Sequence, residues 1–113
     1  MRPMMRAIPR SLLALCALCS GAACEAADPK AALARVEQVC QACHGMDGNS
    51  QVADNPKLGG QYPDYLAKAL RDYQSGLRKN PVMAGFVDKL SKQDIENLAA
   101  YYSSQAPTVV TRQ

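Results

Sequence analysis

Five residues constrain this chain more than any others: Cys40-Gln41-Ala42-Cys43-His44. Two thiols three positions apart lie on one side of a helix end. At that spacing they meet the two vinyl groups along one porphyrin edge and form thioethers. The imidazole one residue later can then turn onto the iron. The pattern C-x-x-C-H is therefore read as the attachment site of a c-type haem. Three other readings compete. A structural zinc site wants four ligands, and only Cys40, Cys43 and His44 are evident. A thioredoxin-like redox pair normally opens a helix after a strand, whereas this pair falls late in a helical pattern with no strand before it. An ordinary disulfide is the third.

The start of the chain supports the haem reading. Arg2, Arg6 and Arg10 precede an apolar run from Leu12 to Ala23, and small residues follow through Ala27. A basic start, a short apolar stretch and a small-residue end describe a secretory signal peptide over residues 1–27, with cleavage near residues 23–27. The run is shorter than the roughly 20 residues of an ordinary membrane span, so an uncleaved anchor is the lesser alternative. Cys24 after Gly21-Ala22-Ala23 has some likeness to a lipoprotein signal, but Gly21 stands where Leu is usual. Removing this leader takes away Cys16, Cys19 and Cys24. The five Cys fall to two, beside the single His. The formal +3 of the whole chain falls to +1, with ten Lys and Arg against nine Asp and Glu. No excess of basic residues is left to neutralise phosphates, which argues against a nucleic-acid partner.

The remaining chain reads as short helices and polar connections. Asp28-Pro29 looks like an N-cap with Pro at the first helical position, and Leu33, Val36, Cys40 and Cys43 follow at helical spacing. Residues 45–60 are rich in Gly, Asp and Asn and read as loop. A second helix starts near Pro63, with Tyr62, Tyr65, Leu66, Ala69, Leu70, Tyr73 and Leu77 as one apolar stripe, and ends at Gly76. Asn80-Pro81 reads as a chain break, with a short helix over 84–90. Ser91 and Asp94 resemble a capping box before a last helix carrying Ile95, Leu98, Ala99 and Tyr102. No segment shows sustained strand alternation. The expected organisation is one all-α domain over 28–106 and a flexible tail over 107–113.

A haem iron held by His44 leaves a sixth position. No second His exists, and beyond the leader Met46 and Met83 are the only thioethers. Met46 is two residues from His44, a reach of at most about 7 Å, too short to pass round a macrocycle. Met83 follows far enough downstream for a helix to cover one haem edge and a loop to return on the other face. A His/Met pair raises the reduction potential and suits electron transfer. The alternative role for Met83 is core packing.

Cys40-Gln41-Ala42-Cys43-His44-Gly45, Pro56-Lys57-Leu58-Gly59-Gly60-Gln61, Gly76-Leu77-Arg78, Asn80-Pro81-Val82-Met83 and Leu98-Ala99-Ala100-Tyr101-Tyr102 arrive in an order that resembles class I cytochrome c. The resemblance covers residues 30–104 and is nearest to small bacterial cytochromes whose two-haem relatives repeat the unit. It implies three main helices plus short helices and loops wrapped around one haem. It also implies that the Pro56 carbonyl accepts from Nδ1–H of His44, fixing the tautomer, and that Tyr101 joins the first and last helices. Ala32 and Val36 depart from the Gly and aromatic residue of many relatives, which implies a wider, smaller helix crossing.

The expected function is a periplasmic electron carrier with one haem c bound through Cys40 and Cys43 and ligated by His44 and Met83. The resemblance implies redox protein partners: a quinol–cytochrome complex as donor, and a terminal oxidase or reductase as acceptor. Membrane contact is expected only through such partners, and the chain is expected to be a monomer or weak oligomer. The alternative is a haem sensor or catalytic haem subunit with an open sixth position; a carrier module of a larger dehydrogenase is a third reading. Tyr62, Tyr65, Tyr73 and Tyr102 are expected in the core or the haem pocket. Lys57, Lys68, Arg71, Arg78, Lys79 and Lys89 are expected in solvent. No serine nucleophile signature or phosphate-binding loop points to hydrolysis. The scarcity of aromatic bulk (one Phe, five Tyr, no Trp) leaves a domain of this size short of core, which a buried macrocycle would complete.

Overall fold

The computed structural model describes residues 25–108. The expected leader therefore lies outside the described residues except for 25–27. Among the described residues every regular element is helical, and no helix is long and apolar enough to cross a membrane.

Residues 29–44 form one continuous helical run, α1, whose pitch changes along its length. Asp28 caps it by accepting from the Lys30 amide at 2.9 Å, with Pro29 at the first position. A 3₁₀ turn (Pro29–Ala32) leads to one α turn (Leu33–Arg35), a π-helical turn (Val36–Cys40) and a last α turn (Gln41–His44). The three pitches rotate successive side chains by different angles. The expected stripe is shifted for that reason. Ala32 and Val36 face the core, whereas Leu33 is exposed.

α2 is Pro63–Ser75 and ends at Gly76, whose φ of 80° is left-handed. The expected stripe along it splits. Leu66 and Ala67 are buried in the protein core, Tyr65, Ala69 and Tyr73 line a cleft, and the two ends turn out. Tyr62 is 79% exposed and Leu77, beyond the Gly76 turn, is 81% exposed. Both are corrections to the sequence reading: neither lies within the helix whose period was used to place it.

α3 is Pro81–Val87, not 84–90. Asn80-Pro81 starts this helix rather than breaking the chain. The Asn80 side chain accepts from the Val82 and Met83 amides at 3.0 and 3.1 Å, and Pro81 needs no donor at the first position. Met83 accordingly sits in a helical first turn, not in a returning loop. α4, Lys92–Ser103, begins with a reciprocal cap: the Asp94 amide donates to Ser91 Oγ at 3.0 Å, and the Ser91 amide donates to Asp94 Oδ2 at 2.9 Å.

The start of α1 and the length of α2 pack on α4. Val36, Val87 and Ile95 are the largest side chains almost wholly out of water, and burial of each contributes about 1.5–3 kcal/mol. Ala32 and Val36 are both enclosed, so the small residues of α1 still close that core. Asn97 of α4 is buried and accepts from the Asp28 amide at 2.8 Å, tying the first turn of α1 down.

The 45–62 connection has no helix but is heavily hydrogen-bonded. The Leu58 and Gly59 amides both donate to the Gly48 carbonyl, at 2.7 and 3.1 Å. A β-carbon on Gly48 would lie 2.6 Å from the Gly59 nitrogen, so only glycine permits this approach. Buried Asn49 donates to the Ala106 carbonyl at 2.9 Å and accepts from the amide and hydroxyl of Thr108 at 3.1 and 2.9 Å. The first two residues of the expected tail, 107 and 108, are thus part of this knot.

Candidate haem-binding site

α1 delivers the three chemical groups of the C-x-x-C-H motif together. Cys40 closes the π turn and is half-buried; Cys43 stands exposed in the last α turn; both are free thiols. Burial pushes the Cys40 thiol above its usual range, with Arg35 opposing the shift. His44 ends the helix and is 8% exposed. Its Nδ1 lies 2.9 Å from the Pro56 carbonyl oxygen. A carbonyl only accepts, so Nδ1 carries the proton, which in the neutral ring leaves the lone pair on Nε2. That tautomer is the one a metal needs.

Two tyrosines of α4 grip the chain just after His44. Tyr101 donates to the Met46 carbonyl at 2.8 Å, and Tyr102 donates to the Gly45 carbonyl at 3.2 Å. Their rings meet edge to face at 5.2 Å. Burial pushes both phenols above the usual tyrosine range, so both remain donors at any ordinary pH. Tyr102 is the more deeply buried of the two. The Tyr101 ring packs against the core cluster that includes Ala32 and Val36 of α1, while its hydroxyl reaches the loop after the motif.

A cleft of about 860 Å³, counting its open mouth, runs beside these groups. Its walls are mainly apolar, from Leu66, Leu70 and Leu98 to the tyrosines 65, 73 and 102. A second lobe extends past Cys43 to Val82 and Phe86. Cys40, His44, Pro56, Tyr73 and Met83 border both lobes. Arg78 and Lys57 also border the cleft, so two of the expected solvated cations lie at its edge. The Arg78 guanidinium lies 5.0 Å from the Tyr73 ring centre. Lys68 instead pairs with Asp72, and Arg71 with Glu96 at 2.8 Å, on the exposed face of α2.

This donor set suits a covalently held haem. Two free thiols at i and i+3, an imidazole with Nε2 available, a thioether on the same cleft and an apolar wall are all present. Zinc fits less well: among the described residues no three His, Cys, Asp or Glu side chains converge.

Comparison with known proteins decides the family. A family model described as cytochrome c oxidase, cbb3-type, subunit III matches residues 27–101. The chain belongs to this family of c-type cytochromes. Cytochrome c4 of Stutzerimonas stutzeri is 44% identical over 99 residues, 80% of this chain and 47% of that protein. The crystal structure of reduced recombinant cytochrome c4 from Pseudomonas stutzeri is 45% identical, with a TM-score of 0.69 over 74% of this chain and 48% of the other. The thiosulfate dehydrogenase electron acceptor of Thiomonas intermedia (strain K12) is 36% identical over 107 residues, 94% of this chain and 46% of that protein. The chain spans about half the length of these relatives. The fold is that of class I cytochrome c, and the family is one of electron carriers with covalently bound haem c.

Sequence reasoning missed four polar side chains that hold the fold together. Asn80 carried a legible signal, since Asn before Pro is a helix start. Asn49, Gln74 and Asn97 carried none, because each reaches a backbone group 13 or more residues away.

Proposed function

We propose that this protein is a periplasmic single-electron carrier with one haem c, attached through Cys40 and Cys43 and ligated by His44 Nε2 and the Met83 thioether. The observation that carries this reading is that His44, held by the Pro56 carbonyl, and Met83 border one apolar cleft beside the two free thiols. When bound, a haem supplies a one-electron Fe(III)/Fe(II) couple. The chain's own residues do the rest. Pro56 fixes the imidazole tautomer and makes Nε2 a stronger donor. Leu66, Leu70 and Leu98 exclude water, which favours the less charged form of the site and raises its potential. Exposed Val82 and Phe86 leave one edge of the site accessible to a partner, in the small and transient contact that electron transfer uses.

The leader over residues 1–27 supports export, and the partners are respiratory redox proteins: a quinol–cytochrome complex as donor and a terminal oxidase or reductase as acceptor. A role as electron acceptor of a dehydrogenase, as the Thiomonas relative is described, uses the same chemistry.

The test is protein matured with a haem-attachment system. One haem per chain and a ferric Met–iron charge-transfer band are expected, with slow uptake of carbon monoxide by the ferrous form. Met83→Ala should abolish the band, lower the potential and open the iron to carbon monoxide. A wild-type protein that takes up carbon monoxide as readily as Met83→Ala has an open sixth position and is a sensor or catalytic subunit instead.

A further inference from the structure

α3 carries Met83, and among the described residues it is the shortest of the four helical runs. It has seven residues, well short of the roughly 12–15 at which an isolated helix becomes even marginal. Of its side chains only Val87 is fully buried; Val82 and Phe86 are 62% and 50% exposed. Apolar burial therefore pins α3 at Val87, with Met83 only partly buried against the same core. Its first turn is fixed internally by the Asn80 cap. Its last turn is tied from outside. The Gln74 side chain, on α2, donates to the Val87 carbonyl at 2.7 Å and to the Leu90 carbonyl at 2.9 Å. A carboxamide has two N–H donors, and both are engaged here. The Val87 carbonyl also accepts from the Leu90 amide at 3.1 Å, so Gln74 holds both ends of the closed turn that ends α3. Gln74 adjoins Tyr73, which lines the cleft from α2. One side chain thus couples the cleft wall to the helix that presents Met83.

We propose that Gln74 is a positioning residue for the Met83 thioether, fixing α3 against α2 so that Met83 stays on the cleft. The proposal rests on the assignment of Met83 as axial ligand given above. Without the tether, α3 keeps its Asn80 cap but is pinned at the buried Val87 alone, and it can rock about that point, which swings the first turn that carries Met83. States with Met83 withdrawn from the iron gain population, and an added ligand binds in proportion to that population.

The test uses matured holoprotein and four forms. Gln74→Leu keeps the side-chain bulk and removes both donors. Met83→Ala removes the ligand. Asn97→Ala is the reference for general loosening, because Asn97 Oδ1 likewise accepts two hydrogen bonds, from the Asp28 amide at 2.8 Å before α1 and from the Gln93 side chain at 2.9 Å on α4. Imidazole is titrated into each ferric protein while the Met–iron band is followed. Gln74→Leu should bind imidazole about ten-fold more tightly than wild type and lose the band at correspondingly lower imidazole. Asn97→Ala should bind it within about two-fold of wild type, although it unfolds at lower urea. Wild-type imidazole affinity in Gln74→Leu overturns the proposal, as does equal tightening in Asn97→Ala. A wild-type protein without the band, with the imidazole affinity of Met83→Ala, overturns the Met83 assignment and this proposal with it. If Gln74→Leu does not mature, Gln74→Glu, which keeps the length and replaces donors by acceptors, decides on the same criteria.

Discussion

A methyl group at Gly48 would stand 2.6 Å from the Gly59 nitrogen and 2.8 Å from Tyr102 Cδ1. Gly76 has a similar positive φ, but a methyl there meets nothing within 4 Å. The two positions separate conformational strain from steric strain. Gly76→Ala should cost about 1–2 kcal/mol, the penalty of a left-handed L-residue. Gly48→Ala bears that penalty and must also push apart two loop segments and a buried ring. It should lose at least about 3 kcal/mol and be the lower of the two in urea midpoint with an unchanged slope. Equal midpoints for the two variants would show that the 48–59 approach is not tight. Residue identity matters here because the Gly48 carbonyl receives two amides of the segment that follows Pro56. Disturbing it disturbs the acceptor for His44.

At the scale of the element, the start of α4 carries a pH dependence. The Ser91 amide and hydroxyl, by hydrogen-bonding the Asp94 carboxylate, hold it below the usual range. A lowered folded pKa means that the unfolded chain binds more protons in that window, so stability rises with pH there. The contribution is present in full above the ordinary value of about 3.9. It is lost as pH falls through the lower folded value. Asp94 is exposed, so the effect is small, about 0.5 kcal/mol. In urea melts, Asp94→Asn should be less stable than wild type near neutrality, and the two should converge as pH falls from about 5 to about 2. Parallel curves would mean that the reciprocal cap adds no net stability. The changing pitch of α1 is a second element-scale feature. A 3₁₀ start and a π turn just before Cys40 set which face the motif presents, and no helical period read from the sequence includes them.

For the molecule as a whole, the cleft is the other side of the core. Leu66, Leu98, Ala99 and Tyr102 belong to the buried cluster and also line the cleft. A chain of this size with little aromatic bulk has no spare apolar layer to cover them. The Cys40→Ala/Cys43→Ala protein should therefore show weak helical circular dichroism and no cooperative thermal transition. A native-like, cooperative melt in that variant would show that the protein part alone completes its core.

The amino-acid sequence by itself determined the chemistry and the class of fold. C-x-x-C-H is local, so its five residues needed no tertiary information, and helix starts at Asp28, Pro63 and Ser91 are written in side chains within three residues of the cap. Elimination among the few His and Met residues was likewise possible by counting. The Pro56 carbonyl on His44 was implied by the family resemblance, and the Asn80 cap that puts Met83 on a helix is local. Only the tertiary structure decided which tyrosine grips Gly45 and that Gln74 ties that helix down. Those facts depend on polar contacts between residues distant in the chain. A hydrogen bond to a backbone carbonyl carries no side-chain signature at the accepting end, so nothing in the sequence marks the partner until the chain has folded.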